Sequence, residues 1–566
     1  MSFAGAAGVF DTPAASYDDA VTHSAGPPDI ESDLDRARRL CFAADEGAAK
    51  DLLLSLMPRI EEADRDDLML EVYAQLGELY LVRTAYEGVT ECLTRIRECL
   101  QLYREVRTGH RPQAAGQVTM SATEIDHMIC RYSRRALFLQ TGMAAAHGEH
   151  ESAATYLQAL AEEPGTFDDL IGEHTYLITH ARILCAVALC DDDLHVQSIP
   201  LWARVLEDID GPGDGSEAGD TLRVLAGTGY GRFCVETGRL TEAEPWLRRA
   251  GARAQARGWD LYTARTQLER ATAAWTAGDR ARAQDLVHAA YPAIAEHARA
   301  HDVSRSWLYF GLISISVGEL DDADERLGHA ERHWRELGKP LHIHRILVQR
   351  SWVDILRGDH AAATERVDAA RELLDSWPRR SWLQYARLDD HMGSILRADA
   401  LADPGSAEEK FARAADLKVP AALAVDSVRY AIGDADARMR WATHVSARLL
   451  AGAFAVAWEW GNTALVSELI EYHCARGTFT VPQSPHTAAW ENAAAATVPV
   501  DDADEYALVA SGPEATVGGS LTRLGALPPL RMDPSADPIL VRYRDLAHRR
   551  YGRLVTAAEA EWCTWP

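Results

Sequence analysis

The chain has 566 residues and a formal net charge of −27, and its length exceeds what one ordinary hydrophobic core fills. A chain this acidic lacks the broad basic stripe that a phosphate backbone requires, so its composition argues against nucleic-acid binding. Its nine cysteines include no CxxC pair, and we expect small, buried, reduced thiols.

The first 30 residues predict a disordered tail, because they are rich in Ala, Gly, Ser, Pro and Asp and show no apolar periodicity. This start has neither the basic nor the apolar segment of a secretory signal. The longest apolar stretch, Leu449 to Trp460, is shorter than the ~18 residues that a membrane helix needs. We therefore expect a cytoplasmic protein that does not associate with membranes.

Residues 31–474 have the amphipathic pattern of α-helices, interrupted by short turns, and no run alternates as a strand would. Four glycines in this region lie 40 residues apart: Gly238, Gly278, Gly318 and Gly358. Alanines follow each glycine at five and twelve positions, as Ala243 with Ala250, Ala283 with Ala290, Ala323 with Ala330, and Ala363 with Ala370. A period of this length predicts an all-α solenoid of stacked helical hairpins.

Each ladder glycine is placed to end the first helix of a hairpin, where a residue without Cβ adopts the left-handed conformation. The two alanines of a repeat lie seven residues apart, hence on one face of the second helix. Gly231 and Gly311 precede ladder glycines by seven residues on the first helix. Small side chains at these positions let the paired helices approach closely.

This spacing resembles the tetratricopeptide (TPR) repeat, whose signature positions are filled in the third copy by Trp307, Gly311, Gly318, Ala323, Leu327 and Ala330. The resemblance extends over residues 31–474 and is closest from 221 to 416. It implies about eight to ten hairpins whose first helices line a concave groove. It favours a non-enzymatic scaffold that needs no cofactor and binds a protein or peptide.

The TPR register also implies which residues line that groove. They are Arg265, Arg305, Arg345 and Arg387 at one repeated position, together with Arg232, Trp275, Leu308, Leu312 and Trp352. Guanidiniums bind carboxylates bidentately and aromatic rings supply contact area, so the expected partner is acidic and partly apolar. The alternative is that these arginines are merely solvated and the apolar members belong to the core between repeats.

Three polar clusters contain residue types that bind metals. They are His147 with His150; Asp191, Asp192 and Asp193 with His195; and His342 with His344. None of the clusters has a second half-site at metal-binding spacing, and all fall near inter-helix turns. We therefore expect these residues to be the ordinary polar residues of turns and to bind no metal. No nucleophile motif or phosphate-binding loop appears, so no catalytic residue is expected.

Residues 475–566 begin with a Pro/Ala-rich linker and end in a predicted helix from Pro538 to Trp562. The arginines of this helix, from Arg542 to Arg553, form a basic face that is solvated, docked on the solenoid of its own chain or docked on a partner. The segment around the linker is similar to the junction of actinobacterial TPR–CHAT proteins, in which helical repeats precede a caspase-like protease. Only about 90 residues follow the repeats here, too few for that domain.

The second resemblance implies a repeat-only relative that associates with a separately encoded protease or other effector. Two further functions stay open at this point. One is a regulatory or sensor subunit of a bacterial signalling or defence system, and the other is an enzyme whose site lies in residues 475–566.

Overall fold

The computed structural model describes residues 29–112, 118–162, 167–192, 194–210, 215–377, 381–430, 441–475 and 537–555. Every regular element within these ranges is helical, with no β-strand among them, which confirms the predicted all-α class. The predicted tail lies outside the described residues except for positions 29 and 30, as does the linker from 476 to 536.

Ten antiparallel hairpins form a TPR-like solenoid over the described residues, at the upper end of the expected number. The helices of the hairpins are α1 Ile30–Phe42, α2 Glu46–Glu62, α3 Asp66–Val82, α4 Tyr86–Arg107, α5 Ala122–Ala146, α6 His150–Glu162, α7 Ile171–Asp191, α8 His195–Ile209, α9 Glu217–Glu236, α10 Leu240–Ala256, α11 Asp260–Ala277, α12 Arg280–His297, α13 Ala300–Val317, α14 Leu320–Glu336, α15 Pro340–Arg357, α16 His360–Ser376, α17 Trp382–Ala402, α18 Ala407–Ser427, α19 Ala447–Glu459 and α20 Thr463–Ala475. A π-helical turn, Trp441–Ser446, leads into α19.

The glycine ladder marks the turn inside four consecutive hairpins, from α9/α10 to α15/α16. Its glycines have φ between +76° and +88°, so the predicted left-handed conformation is confirmed. All eight ladder alanines are buried. A Cβ added to Gly311 would lie 2.6 Å from Cγ of Leu327 on the paired helix, so a glycine is needed for this close approach.

The solenoid curves so strongly that its first hairpin packs against a much later part of the chain. The turn after α1 inserts Phe42 and Ala44 into a core cluster with Trp259, Leu261 and Tyr262 from the start of α11. Apolar burial drives this closure, since these side chains leave water together.

Polar contacts reinforce the closure at two places. Glu46 at the start of α2 accepts a hydrogen bond of 2.9 Å from Nε of Arg299, which precedes α13. Further along, Nζ of Lys339 donates to the carbonyl oxygen of Ala146, which joins the turn after α14 to the end of α5. The solenoid therefore encloses an interior space.

The C-terminal helix α21, Val541–Tyr551, docks on the solenoid of its own chain. Tyr543, Ala547 and Tyr551 are buried in one cluster with residues of α17 to α20. The hydroxyl of Tyr551 donates to Oδ2 of Asp389 at 2.6 Å.

The predicted extent of this helix is wrong at its end. The helix stops at Tyr551 because Gly552 takes a left-handed φ of 63°, whereas the sequence pattern predicted helix through Trp562. Residues 556–566 lie outside the described part of the chain. No helix in the described ranges is both long and apolar enough to cross a lipid bilayer.

Candidate functional site

The closed curve of the solenoid leaves an interior cavity of about 600 Å³. Its wall takes residues from the first hairpin through the start of α15, so positions 300 apart in sequence face the same space. Small-molecule and cofactor sites have volumes of about 300–1,000 Å³. The cavity therefore has the size of a binding site.

Charged side chains of both signs line the cavity, and seven basic residues outnumber five acidic ones. The basic residues are Arg38, Arg135, Arg232, Arg265, Arg299, Arg305 and Lys339, and the acidic residues are Glu46, Glu78, Glu173, Asp191 and Glu269. In a chain of net charge −27 this excess of positive charge is a local exception. A concave wall of one excess sign concentrates ligands of the opposite sign.

The remainder of the wall is largely apolar and aromatic. Phe42, Phe138, Tyr176, Leu225 and Tyr262 are among the residues that face the cavity. Burial raises the pKa of Tyr176 well above its ordinary value, so its hydroxyl stays protonated and neutral. The wall of the cavity therefore combines charged groups with an apolar and aromatic surface.

One wall of the cavity is organised by a buried ion-pair network around Glu71 in α3. Its carboxylate is 3.3 Å from Nη1 of Arg135 and accepts hydrogen bonds from Gln75 at 2.8 Å and from Tyr132 at 3.1 Å. Arg38 of α1 also pairs with it. Burial alone would raise the pKa of Glu71, but the surrounding arginines outweigh that effect and hold the pKa far below its ordinary value.

Three of the nine predicted site residues, Arg232, Arg265 and Arg305, line the cavity. Each is paired with a carboxylate of its own chain: Nη2 of Arg232 is 2.6 Å from Asp191, Nε of Arg265 is 3.1 Å from Asp302, and Nη2 of Arg305 is 2.8 Å from Glu269. An anionic ligand would therefore compete with internal carboxylates for these arginines.

The two other predicted arginines are not among the residues that line the cavity. Arg345 lies near His342, and Arg387 is exposed. The repeated spacing therefore does not bring all four arginines of the ladder to one surface.

The predicted apolar members also lie outside the cavity lining. The rings of Trp275 and Trp352 are engaged, the first by the guanidinium of Arg280 at 3.7 Å and the second by His391 at 4.7 Å. Leu308 and Leu312 are partly buried against core clusters. The two leucines thus fit the core interpretation that we kept as the alternative.

Four basic residues of the cavity were missed by the sequence prediction: Arg38, Arg135, Arg299 and Lys339. The first two belong to hairpins upstream of the regular repeats, and the other two lie in turns just before a helix. No contrast with its neighbours singles out Arg135, because Arg131, Ser133 and Arg134 stand beside it in α5.

Several residues of the predicted polar clusters make the polar contacts that are ordinary at inter-helix turns. Nε2 of His150 is 2.8 Å from Oδ2 of Asp192, and Nδ1 of His344 is 3.0 Å from the carbonyl oxygen of Ala370. The ring of His147 packs against that of Tyr86, with 4.4 Å between centroids and a tilt of 59°. Asp193 lies outside the described residues.

Two groups of three side chains in the described ranges have ligand atoms close enough to share a metal ion. One comprises Cys190, His195 and Glu236, and the other Asp191, His301 and His342. The second group includes two residues of the predicted clusters, joined by a histidine from a separate hairpin.

No protein-family model matches the chain, and no curated protein matches it. Similar solved structures include a Rap protein complexed with Competence and Sporulation Factor, with 13% identity and a TM-score of 0.41 over 69% of this chain and 97% of that chain. A monomeric mutant of IFIT1 with m7Gppp-AAAA has 13% identity and a TM-score of 0.37 over 78% of this chain and 89% of that chain. The APC/C hetero-tetramer Cut9–Hcn1 has 12% identity and a TM-score of 0.32 over 78% of this chain and 90% of that chain.

Structural similarities this weak do not indicate what the chain binds. The description of the chain as a TPR-like solenoid accordingly depends on its own hairpins, its glycine ladder and its buried alanines.

Proposed function

We propose that this chain is a non-enzymatic binding protein that holds an acidic, partly apolar peptide, or such a segment of a protein partner, in its interior cavity. The observation that carries the proposal is the excess of basic residues on the cavity wall of a strongly acidic chain. Arginine pairs with carboxylates by charge-assisted hydrogen bonds, which are stronger when water is excluded.

Two basic side chains are the most available to an incoming carboxylate. Arg265 is 31% exposed, and its pairing with Asp302 uses Nε at 3.1 Å. Lys339 donates its Nζ to a neutral carbonyl oxygen and not to a carboxylate. Lys339 can therefore exchange a contact with a neutral oxygen for a charged partner, and Arg265 can bind a carboxylate with its outer nitrogens while Nε stays on Asp302.

The volume of the cavity restricts what can enter it. About 600 Å³ accepts a few amino-acid residues or a small molecule, and it excludes a folded domain. A protein partner would therefore present a terminus or an extended loop.

Two finer proposals concern the setting of this binding. Every described cysteine is a free thiol, which supports a reducing compartment such as the cytoplasm. The resemblance of the C-terminal segment to TPR–CHAT junctions supports a protease or another effector as the protein that carries the bound segment.

A regulatory role has one observation of its own in its favour. The closure contact between Glu46 and Arg299 uses residues that also line the cavity, as does the contact made by Lys339. A ligand that pairs with these arginine or lysine side chains would change how tightly the solenoid closes. Ligand binding and solenoid shape would then be coupled.

The ligand chemistry can be tested by selection from two matched pools of random hexapeptides, one enriched in Asp and Glu and one in Lys, each containing Leu and Phe. We expect the full-length protein to retain members of the acidic pool, with retention falling as salt is raised. The double variant Arg265→Gln with Lys339→Met is expected to retain at least about tenfold less acidic peptide, which corresponds to a loss of about 1.4 kcal/mol in binding free energy.

The matched control replaces an arginine on the outside of the solenoid, Arg204→Gln, whose side chain is 67% exposed. Its retention should equal that of the wild type. Equal retention of both pools, or unchanged retention by the double variant, would contradict the proposed function.

A further inference from the structure

We propose that Asp191, His301 and His342 form a binding site for a divalent transition-metal ion, with Zn²⁺ the best match, at the wall of the interior cavity. The proposal does not depend on peptide binding, because metal binding has its own test, although Asp191 and His301 also line the cavity. Two imidazoles and one carboxylate are a recognised ligand set for such ions and leave a coordination position open.

The three residues come from distant helices. Asp191 is the last residue of α7, while His301 and His342 lie in the first turns of α13 and α15. Nε2 of His301 is 3.7 Å from Oδ2 of Asp191, and Nε2 of His342 is 4.0 Å from Oδ1. All three ligand atoms lie within 4.8 Å of one another.

These separations are close to what an ion requires. Zn²⁺ binds nitrogen and carboxylate oxygen at about 2.0–2.2 Å in a tetrahedral arrangement, which places neighbouring ligand atoms roughly 3.4 Å apart. Small side-chain rotations would close the remaining gap. The same separations exceed hydrogen-bond distance, so the three side chains do not already bond to one another.

One atom that would face the ion is a buried polar atom without a hydrogen-bond partner, Nε2 of His301. Oδ1 of Asp191 is held by the guanidinium of Arg232, 2.6 Å away. Buried polar atoms in proteins nearly always have partners, so the unsatisfied nitrogen that points at Asp191 indicates a bound ligand.

Neighbouring residues hold the two imidazoles in place. The ring of Trp334 lies 4.1 Å from that of His342 and 4.9 Å from that of His301, measured between centroids. The ligands are therefore positioned before an ion arrives.

Arg232 is the feature that opposes metal binding, because its charge already neutralises Asp191. Its Nε also donates to Oε1 of Glu236 at 2.8 Å, so the guanidinium stays partnered if Asp191 turns toward an ion. Arg232 therefore weakens the site without filling it. Its removal is expected to strengthen metal binding, an effect that a purely structural polar cluster would not show.

The neighbouring group of Cys190, His195 and Glu236 is the weaker candidate. His195 already bonds Glu236 at 2.9 Å, and the sulfur of Cys190 lies 3.6 Å from the hydroxyl of Ser198. Its members thus satisfy one another or a neighbour. Asp191 and His301, in contrast, face the cavity, where water or a ligand group can complete the coordination.

The test is calorimetric titration of chelator-treated full-length protein with Zn²⁺, and with Co²⁺ followed by its visible absorption. We expect one ion per chain, a weakening of at least about tenfold in His301→Ala and in His342→Ala, and tighter binding in Arg232→Gln. The control is His288→Ala, an exposed histidine of α12, which should bind like the wild type.

A readout on the wild type keeps the proposal testable even if the variants fold poorly. X-ray absorption of the Zn²⁺-loaded protein is expected to show two imidazole ligands and no sulfur ligand. Absence of stoichiometric binding, a sulfur ligand, or binding unchanged in both alanine variants would overturn the site.

Discussion

Replacement of Glu71 by glutamine is expected to lower the free energy of unfolding by about 3–5 kcal/mol at neutral pH. Glu71 and Arg135 are both almost completely buried, with side chains 6% and 4% exposed. Gln has nearly the same shape but no charge, so the variant removes the buried carboxylate that Arg38, Arg131 and Arg135 share. Arg135 then keeps only Glu78 at 2.6 Å and Glu173 at 3.1 Å to offset its loss of hydration. Urea unfolding followed by tryptophan fluorescence measures the difference.

The effect of this substitution should depend on pH in a defined direction. The pKa of Glu71 is lowered in the folded protein, so its contribution to stability is present above the unfolded pKa of about 4.3 and is lost as pH falls below it. Glutamine has no such titration. The stability gap between wild type and variant is therefore expected to narrow by about 1 kcal/mol between about pH 5.5 and pH 3.5.

The control for this prediction is Glu91→Gln on the outside of α4. Glu91 is 63% exposed and pairs with Arg95 one helical turn away, a contact worth less than about 0.5 kcal/mol. The role assigned to the network would be contradicted if Glu71→Gln lowered the free energy of unfolding as little as this control does. It would also be contradicted if the stability difference between wild type and Glu71→Gln widened in acid.

Replacement of Arg299 by alanine is expected to loosen the closure of the solenoid and to lower the free energy of unfolding by about 3 kcal/mol. The side chain of Arg299 is 9% exposed and pairs with Glu46, which is 6% exposed. Its loss leaves Glu46 with Arg83 at 3.2 Å, a residue that is itself 45% exposed. Small-angle X-ray scattering should show a larger radius of gyration, since the first hairpin is held to the later ones partly by this pair.

Arg282→Ala is the matched control for Arg299→Ala. Arg282 lies on α12 and makes one ion pair of 3.3 Å to Glu244, with 51% of its side chain exposed. Its loss should change neither the melting temperature nor the scattering profile. An unchanged radius of gyration in Arg299→Ala would show that the apolar contacts of Phe42 alone keep the solenoid closed.

The fold was largely predictable because a repeat imposes the same local solution many times. The ladder glycines predicted the helix ends, and Gly311 predicted a close helix contact, since each of these depends on neighbours within one hairpin. The end of α21 was missed because residues of high helix propensity continue past Gly552, while the chain takes a left-handed turn there.

The candidate site was predictable only in part, because it depends on how far the solenoid curves. Arg265 and Arg305 were identified from the register, but their pairing with Asp302 and Glu269 was not. Arg299 was missed because its role arises from contact with a hairpin some 250 positions away. Long-range closure leaves no periodic trace in the sequence.

Blocking the interior cavity with a large side chain tests whether this cavity is the binding site. Gly172 and Gly47 both occupy the second position of a helix, and an added Cβ at either meets no atom within 4 Å. Gly172 lines the cavity, whereas Gly47 is exposed and is not among the lining residues. Tryptophan at each position therefore adds the same side chain inside or outside the cavity.

The measurement is the dissociation constant of an acidic peptide recovered by the selection, for wild type, Gly172→Trp and Gly47→Trp. We expect the affinity to weaken at least about tenfold for Gly172→Trp and to stay within about twofold of wild type for Gly47→Trp. Equal affinity of Gly172→Trp and wild type would contradict this expectation, because the peptide would then bind outside the cavity.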